Sequence, residues 1–389
     1  MIRSPAGFDG GDRIKRYLDY YQPSYGVMML SAGQFSPLSL FVAGEQGAWY
    51  DPSDLSTMFQ NSIGTTPVTA AAQPVGLLLD KSKSLALGAE LVTNGDFATD
   101  TWWAKSGTTI SGGAANWSSA GANSWIGRTT AFLTVGSVYQ VTWTIISMSA
   151  GGLRLHDGSF YWTTQTAPGT YTETFRAGGA NFYIISTGAS TTASVDNVSI
   201  KLISGNHASQ ANPTSRPTLI ATNRIDYDGT NDQHTGAVAG GSTTGFLFVA
   251  GVNIDVTGAN QTIWSDTGTN TGYRVRINSS NQVELAAGNN TAYTTAVTSE
   301  TLTAGTNYVI AAWHDGTNLN VKLGTSGTVV SQAFATATAG TTTFTVGMDN
   351  GAVSSQLNGK IYNSVMVKNF AGTVTNVDNT IAYVNRTLA

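Results

Sequence analysis

The sequence predicts an all-β protein made of two antiparallel β-sandwich domains behind an irregular, partly helical N-terminal arm. Three observations predict this fold class. Apolar and polar residues alternate with a period of two in short runs, turn-forming residues bound those runs, and charged residues make up only 11% of the chain. Because its 389 residues include 44 Gly and no Cys, packed cores and hydrogen-bonded sheets must supply the stability.

Residues 1–45 are expected to form the arm. They contain four of the chain's 19 Lys and Arg residues and a short, partly helical piece at 12–20. No apolar run of signal-peptide length follows these basic residues, and no apolar stretch in the chain reaches the roughly 18 residues that span a bilayer. We therefore expect neither Sec export nor membrane insertion.

A lead-in segment follows at 46–86. Asp51 followed by Pro52 is a favourable helix start, and the next apolar residues recur at helical spacing. The sequence therefore predicts a short helix over 52–60.

The first sandwich is expected over residues 87–203. Its clearest strands alternate apolar and polar side chains and end at Gly, Pro, Ser or Asn, as half-buried antiparallel strands do. These strands are predicted at 137–145, 171–176 and 193–200.

The second, larger sandwich is expected over residues 204–389. Asp315-Gly316 lies between two of its strands and predicts a tight hairpin turn, since this dipeptide tolerates positive φ. A helix is predicted over 375–388. The main strands are predicted at 246–252, 273–277, 308–313, 319–323, 343–346 and 360–367.

Two segments, 91–97 and 195–200, open and close the first sandwich, and Trp102 and Trp103 follow the first of them. In this pattern the sandwich resembles the jelly-roll carbohydrate-binding modules of secreted glycanases. In that family a Glu after the first Phe helps the Asp of the last strand to bind a structural calcium ion. Here Ala98 takes the place of that Glu, which leaves Asp196 as a candidate ligand without its usual partner.

The second sandwich resembles the laminin-G-like, concanavalin-A-type lectin fold. That fold has an opening of the form Asp, any residue, Ser, Gly, Asn, and this chain carries its two halves far apart, at 79–82 and 204–210, ahead of a strand at 224–229. We therefore expect the first sandwich to be inserted into the N-terminal loop of the second, because exposed loops tolerate insertions.

The lead-in, from 48–55 through 67–69 to 80–82, resembles a segment that recurs in structural proteins of tailed bacteriophages ahead of such lectin-like domains. The resemblance implies a virion protein of the tail-fibre, receptor-binding or head-fibre type, assembled in the host cytoplasm. It further implies an arm that binds other virion proteins. The chain has no heptads and no collagen-like repeat, so we expect no long shaft, and we expect a homo-oligomer, with a trimer as one arrangement, formed through the arm or the sandwiches.

Six of the nine Trp residues lie within the first sandwich, and aromatic faces stack on the apolar faces of sugar rings. Trp143 alternates with apolar neighbours in a strand and is expected in the core, and one of Trp102 and Trp103 is expected to be buried. The glycan-contact candidates sit beside Gly and Ser in loop-like sequence and are Trp117, Trp125, Tyr161 and Trp162.

The charged residues argue against several other functions. Nineteen Lys and Arg spread over a chain of net charge −4 exclude a general nucleic-acid binder. None of the five Glu has an acidic residue two positions away, and the four His are scattered, so we expect no catalytic site, no enzyme and no required cofactor.

Asp228 and Asp232, with Asp196, are candidate ligands of a structural calcium ion, although a turn also explains the first two. The function expected from the sequence is therefore adhesion, in which a virion protein displays its sandwiches to host-surface or environmental glycans. The alternatives are a cement protein without a ligand and a secreted glycan-processing enzyme.

Overall fold

The computed structural model describes residues 35–128, 130–238, 243–350 and 355–388. The helical piece predicted at 12–20 lies outside these ranges. The described residues form antiparallel sheets with one α-helix, α1 (Val374–Arg386), which confirms the all-β fold class. No helix within the described ranges has the length and apolar content needed to cross a membrane.

Strands are numbered in chain order. The lead-in segment contributes β1 (Gln46–Tyr50), β2 (Met58–Phe59), β3 (Gln73–Pro74) and β4 (Leu77–Leu78). The next part of the chain contributes β5 (Leu87–Glu90), β6 (Ala104–Ser106), β7 (Thr109–Ser111), β8 (Ala114–Ala120), β9 (Trp125–Arg128), β10 (Val138–Ala150), β11 (Leu153–His156), β12 (Gly169–Arg176), β13 (Phe182–Ser186) and β14 (Thr191–Ile203).

The last part of the chain contributes β15 (Ala208–Ser209), β16 (Thr218–Ala221), β17 (Arg224–Asp228), β18 (His234–Ala237), β19 (Phe246–Ile254), β20 (Gln261–Ser265), β21 (Tyr273–Ile277), β22 (Val283–Gly288), β23 (Tyr293–Val297), β24 (Tyr308–His314), β25 (Asn318–Leu323), β26 (Val330–Ala333), β27 (Thr343–Val346) and β28 (Asn358–Lys368). Short 3-10 helices are Pro37–Leu40, Leu55–Thr57 and Pro213–Ser215. The predicted strands therefore lie within observed ones or differ from them by a few residues.

Strand pairing separates the chain into two sandwiches. Strands β5–β14 pair only with one another, in the orders β12-β10-β14-β8-β7, with β5 beside β14, and β11-β13-β9-β6. We call this the inner-chain sandwich. Strands β1–β4 pair with β15–β28 in the orders β26-β25-β24-β19-β28-β17-β16-β3, with β1 beside β28, and β2-β4-β15-β18-β27-β20-β21-β22-β23. We call this the outer-chain sandwich.

Each sandwich has its own apolar core. In the inner-chain sandwich, strand β10 turns Val141, Trp143 and Ile145 inward, which confirms the prediction for Trp143. Trp103 is also buried, whereas Trp102 is part-exposed. In the outer-chain sandwich the buried aromatic residues lie close together, and they include Phe246, Phe248, Trp264, Tyr273 and Phe344.

Helix α1 confirms the helix predicted at the end of the chain. Thr373 and Asn376 form a reciprocal capping box at its start, and the buried side chains Val377, Ile381 and Val384 recur at helical spacing. This apolar stripe packs the helix against strands β19, β24 and β28 of the outer-chain sandwich.

The helix predicted over 52–60 is wrong. Asp51 does begin a turn, because its carboxylate accepts hydrogen bonds from the backbone N–H and hydroxyl of Ser53. The chain then forms a single 3-10 turn and the strand β2, in which Met58 pairs with Leu78. Apolar residues that suggested one face of a helix are buried instead through pairing with β4.

The two sandwiches meet where the chain leaves and re-enters the outer one. The Asp80 carboxylate is fully buried and accepts hydrogen bonds from the backbone N–H of Trp49 (2.8 Å), Ser82 (2.8 Å) and Asn206 (2.7 Å). Nδ1 of His207 accepts from the Asp80 N–H at 3.0 Å. The structure thus brings together the two separated halves of the opening motif.

Candidate functional site

Two of the four glycan-contact candidates are buried, which corrects the sequence prediction for them. Trp117 is 1% exposed on strand β8, where its indole N–H donates to the Ser124 carbonyl at 3.1 Å. Trp162 is 4% exposed and packs edge to face on Phe175. Their Gly and Ser neighbours suggested loops, but backbone pairing turns both rings into the core, where no ligand reaches them.

The other two candidates, Trp125 and Tyr161, remain accessible on one outer surface. Tyr161 is 49% exposed and Trp125 is part-exposed. Both lie against the outer face of the four-stranded sheet β11-β13-β9-β6. The opposite face of this sheet is part of the core and presents Ile126, Leu153, Leu155, Phe182 and Ile184.

The strand register determines which side chains share the outer face. His156 pairs with Tyr183, and Arg154 pairs with Ile185, which in turn pairs with Trp125. Residues directly opposite in antiparallel strands point to the same side of the sheet. Because Arg154, His156, Tyr183 and Trp125 alternate with buried residues, all four lie on the outer face.

The rings on this face form a continuous row. The centroid of Trp125 lies 5.3 Å from that of Tyr183, which lies 5.8 Å from that of His156. His156 stacks on Tyr161 with centroids 4.1 Å apart and an interplanar angle of 18°. The Arg154 guanidinium carbon lies 3.8 Å from the Tyr161 centroid. We call Trp125, Tyr183, His156, Tyr161 and Arg154 the aromatic row.

A buried carboxylate holds the loop that carries Tyr161. Asp157 is fully buried and accepts hydrogen bonds from the backbone N–H groups of Ser159 (2.8 Å), Phe160 (2.8 Å), Gly178 (2.7 Å) and Gly179 (3.1 Å). A Cβ at Gly179 would lie 2.1 Å from the Asp157 carbonyl oxygen, so no side chain fits there. Four backbone hydrogen bonds to one carboxylate therefore fix the loop that positions Tyr161.

Arg154 carries the charge of the aromatic row. Burial and the nearby Arg154 charge lower the pKa of His156, although Asp157 acts in the opposite direction, so the imidazole is neutral at pH 7. No carboxylate among the described residues lies within ion-pair distance of Arg154, whose buried Nε has no hydrogen-bond partner. The row thus offers flat rings together with one cationic group of hydrogen-bond donors.

Sequence reasoning missed Arg154, His156 and Tyr183. A signal was present, since β11 and β13 alternate apolar with polar or aromatic residues, but the pattern does not show which face is open. From the sequence His156 was only one of four scattered histidines, and the strand register assigns it to the row.

The three calcium candidates do not form one site. Asp196 lies in the inner-chain sandwich, and its carboxylate accepts from the backbone N–H of Asn197 at 2.6 Å. Asp228 accepts from the N–H of Thr230 at 2.8 Å and thereby closes a turn, and Asp232 accepts from the N–H of Asp228 at 3.1 Å. Among the described residues, no three His, Asp or Glu side chains are grouped as metal ligands. Calcium at either place stays a prediction.

Asp232 is nevertheless electrostatically unusual. Its side chain is buried, and burial together with the neighbouring charges of Asp228 and Asp226 raises its pKa to about 6. The carboxylate is therefore ionised at pH 7 at a cost to stability.

Two acidic side chains of the outer-chain sandwich, Glu284 and Asp349, are paired with arginines. Glu284 lies 2.8 Å from Nε of Arg276, and Asp349 lies 2.8 Å from Nη1 of Arg274. Burial opposes ionisation of Asp349, but hydrogen bonds from Ser265 and Arg274 outweigh it and lower the pKa. A glycosidase acid needs a raised pKa, so Asp349 suits a structural ion pair better than general acid catalysis.

No protein-family model matches the sequence, and no curated protein matches it. Among solved structures, the chain is similar to the binding domain of botulinum neurotoxin serotype G, with 11% identity, coverage of 43% of this chain and 44% of that one, and a TM-score of 0.35. It is also similar to the serotype D ligand binding domain in complex with N-acetylneuraminic acid, with 14% identity, coverage of 43% of each chain and a TM-score of 0.33. The match thus spans less than half of either neurotoxin domain.

Proposed function

We propose that this chain binds glycans through the aromatic row of its inner-chain sandwich and serves in adhesion. The observation that carries the proposal is the row itself, in which four rings follow one another on an outer sheet face with centroid separations of 4.1 to 5.8 Å. Aromatic faces stack on the apolar faces of sugar rings, and the Arg154 guanidinium donates hydrogen bonds to sugar hydroxyls.

The rigidity of the row supports a binding role. Trp125 and Tyr183 stand on neighbouring strands, and the Asp157 carboxylate holds the Tyr161 loop through four backbone hydrogen bonds. A ligand that binds such a preformed surface loses little free energy to ordering of the protein. Tyr161 is 49% exposed and the other three rings of the row are part-exposed, so a ligand can reach the row.

We further propose that the protein is a bacteriophage virion component of the tail-fibre, receptor-binding or head-fibre type. The lead-in segment that resembles phage structural proteins is built into the outer-chain sandwich, because β1 pairs with β28 and Asp80 joins both ends of the inner-chain sandwich. Residues 1–45 would bind the particle, and the two sandwiches would face outward. A homo-oligomer, such as a trimer, belongs to the same proposal, as does the absence of catalysis.

A glycan array probed with the full chain, with calcium supplied, tests the adhesion proposal. We expect binding to at least one polysaccharide, and a loss of at least tenfold in affinity for Tyr183→Ala and for Tyr161→Ala. Phe160→Ala is the matched control, since it removes a ring that is 40% exposed in the same loop but packs on Gly178 outside the row. A folded chain that binds no glycan would leave the cement alternative, and release of reducing sugar would favour the enzyme alternative.

Labelling of purified particles tests the virion proposal. An antibody against the inner-chain sandwich should decorate defined positions on the tail or the head in electron micrographs. Absence of the protein from purified particles that contain all other structural proteins would overturn the proposal.

A further inference from the structure

A cavity of about 450 Å³ lies where the two sandwiches meet. The inner-chain sandwich lines it with the segment 135–138, Arg176 and Leu202, and the outer-chain sandwich lines it with Asn206, Thr235 and Thr343. The volume lies within the range of about 300–1,000 Å³ that is typical of small-molecule sites. The cavity is distinct from the aromatic row, with which it shares no residue.

The guanidinium of Arg176 lines the cavity and has no partner in the described part of the chain. Arg176 ends strand β12, and its backbone N–H donates to the Ile63 carbonyl at 2.9 Å, which holds the residue at the junction. Its guanidinium lies beside Gly136, whose added Cβ would be 3.4 Å from Nη2. Among the described residues, no carboxylate pairs with this guanidinium and no acceptor binds it.

An unpaired, partly buried guanidinium is costly for the protein. Burial lowers the pKa of Arg176, with no compensating contact from an acidic neighbour. Removing a charge from water without a partner costs free energy, which an anion in the same cavity would recover. The planar guanidinium presents paired N–H donors that match a carboxylate.

The rest of the lining indicates a ligand with an apolar part. Val135 is 60% exposed and Leu202 is 36% exposed, so both present apolar surface at the cavity. The hydroxyls of Thr235 and Thr343 supply neutral hydrogen-bonding groups, whereas His207 is not available, because its Nδ1 accepts from Asp80 and its Nε2 donates to the Ile203 carbonyl. A bare phosphate would leave the apolar surface uncovered.

We propose that this cavity binds a small carboxylate-bearing saccharide, such as a uronic acid. Its carboxylate accepts paired hydrogen bonds from Arg176, its ring covers Val135 and Leu202, and its hydroxyls contact Thr235 and Thr343. Because the lining comes from both sandwiches, the ligand also joins them. This site shares no residue with the aromatic row. The saccharide proposal can therefore be contradicted without contradicting the adhesion proposal, and the reverse also holds.

Isothermal titration calorimetry of the full chain with D-glucuronate, D-glucose and inorganic phosphate tests the proposal. We expect glucuronate to bind at least tenfold more tightly than glucose or phosphate, and Arg176→Gln to weaken glucuronate binding at least tenfold. Arg128→Gln is the matched control, because that guanidinium lies in the same sandwich over the ring of Trp102, away from the cavity.

A second variant keeps the test decisive if Arg176→Gln does not fold. Thr235 is exposed on strand β18, so Thr235→Trp should fill the cavity from the other sandwich and abolish glucuronate binding without loss of the fold. The proposal is overturned if glucuronate binds no more tightly than glucose, if phosphate alone binds, or if neither variant changes the affinity.

Discussion

The Tyr273 hydroxyl lies 2.8 Å from Nδ1 of His314 in the core of the outer-chain sandwich, where both side chains are fully buried. Nε2 of the same ring lies 2.9 Å from the Phe334 carbonyl oxygen. Because a carbonyl oxygen can only accept, Nε2 carries the proton and Nδ1 accepts from the tyrosine. The imidazole is therefore neutral and both of its nitrogens are satisfied.

The same arrangement occurs a second time in this core. The Tyr227 hydroxyl lies 3.1 Å from Nδ1 of His234, and Nε2 of His234 lies 2.9 Å from the Val75 carbonyl. Here the bond ties the lead-in segment to strand β18. Two of the chain's four histidines thus serve the packing of the core.

Tyr273→Phe should destabilise the protein by about 1–3 kcal/mol, because it leaves the buried Nδ1 of His314 without a donor. Urea unfolding followed by tryptophan fluorescence measures the change. Tyr308→Phe is the control, since its hydroxyl accepts only from a backbone N–H at an exposed position and its loss should cost less than 1 kcal/mol. Equal costs for the two variants would contradict the role given to the Tyr273 bond.

Stability should fall as the solution is acidified below pH 6.5, in part because of His234. Burial lowers the pKa of His234 to about 4, whereas the unfolded chain takes up the proton near pH 6.5. Between these two pH values the unfolded state binds more protons than the folded state. Acidification therefore favours the unfolded state and lowers the free energy of unfolding. Urea midpoints measured from pH 7.5 to 4.5 should show a shallower decrease for His234→Gln than for the parent chain.

The stability that Asp232→Asn adds should increase as the pH rises, whereas the penalty from His234 increases as the pH falls. The pKa of Asp232 is raised to about 6, so the folded state binds a proton that the unfolded state has lost between about pH 4 and 6. The carboxylate's unfavourable contribution is thus absent at pH 4 and complete above pH 6. Relative to the parent, we expect Asp232→Asn to be about 1–2 kcal/mol more stable at pH 7.5 and nearly unchanged at pH 4.5.

Calcium offers a separate check on the same residue. If a calcium ion binds at Asp228 and Asp232, millimolar calcium should raise the melting temperature of the parent chain and not that of Asp232→Asn. Equal melting temperatures with calcium and with a chelator would contradict the calcium prediction.

Asp80→Asn should destabilise the outer-chain sandwich by about 2–4 kcal/mol, because an amide cannot replace both buried carboxylate oxygens as acceptors. One oxygen accepts from Trp49 and Ser82 and the other from Asn206. Denaturant unfolding measures the cost. Asp96→Asn, at an exposed loop position, is the control and should change stability by less than about 0.5 kcal/mol.

The tryptophans of the inner-chain sandwich should separate into two classes. Trp117→Ala should cost about 3–5 kcal/mol, because it leaves a cavity in the core. Trp125→Ala should cost much less, since the ring is part-exposed on the outer face, but it should weaken glycan binding. Thermal unfolding and the glycan array together measure both effects, and a loss of binding for Trp117→Ala without destabilisation would contradict the assignment.

Much of the secondary structure was predictable because its signals are local. Strand β10 alternates apolar and polar residues from Tyr139 to Ile145, helix α1 repeats apolar residues at helical spacing, and Asp315-Gly316 closes the hairpin between β24 and β25 with Gly316 at φ 93°. Each of these depends on neighbours within a few residues, and the structure confirms all three.

The predictions that were wrong concern segments whose conformation depends on pairing with a strand that is distant in the sequence. Met58 and Phe59 follow a helical spacing, yet pairing with Leu78 and Leu77 makes them a strand. Trp117 sits among small residues typical of loops, yet pairing of β8 with β14 places it in the core. Local patterns contain no information about which remote strand supplies the hydrogen bonds.

By itself, the sequence determined that this is an all-β chain, where most of its strands lie and that ionisable groups are scarce, because alternation, turn residues and composition are properties of the chain alone. Only the tertiary structure decided which aromatic residues face outward, and that among the described residues no carboxylate pairs with Arg154 or Arg176. It also brings the Asp80 carboxylate within 2.7 Å of the Asn206 N–H, 126 positions further along the chain. Such contacts depend on packing of whole sheets, and no local pattern encodes them.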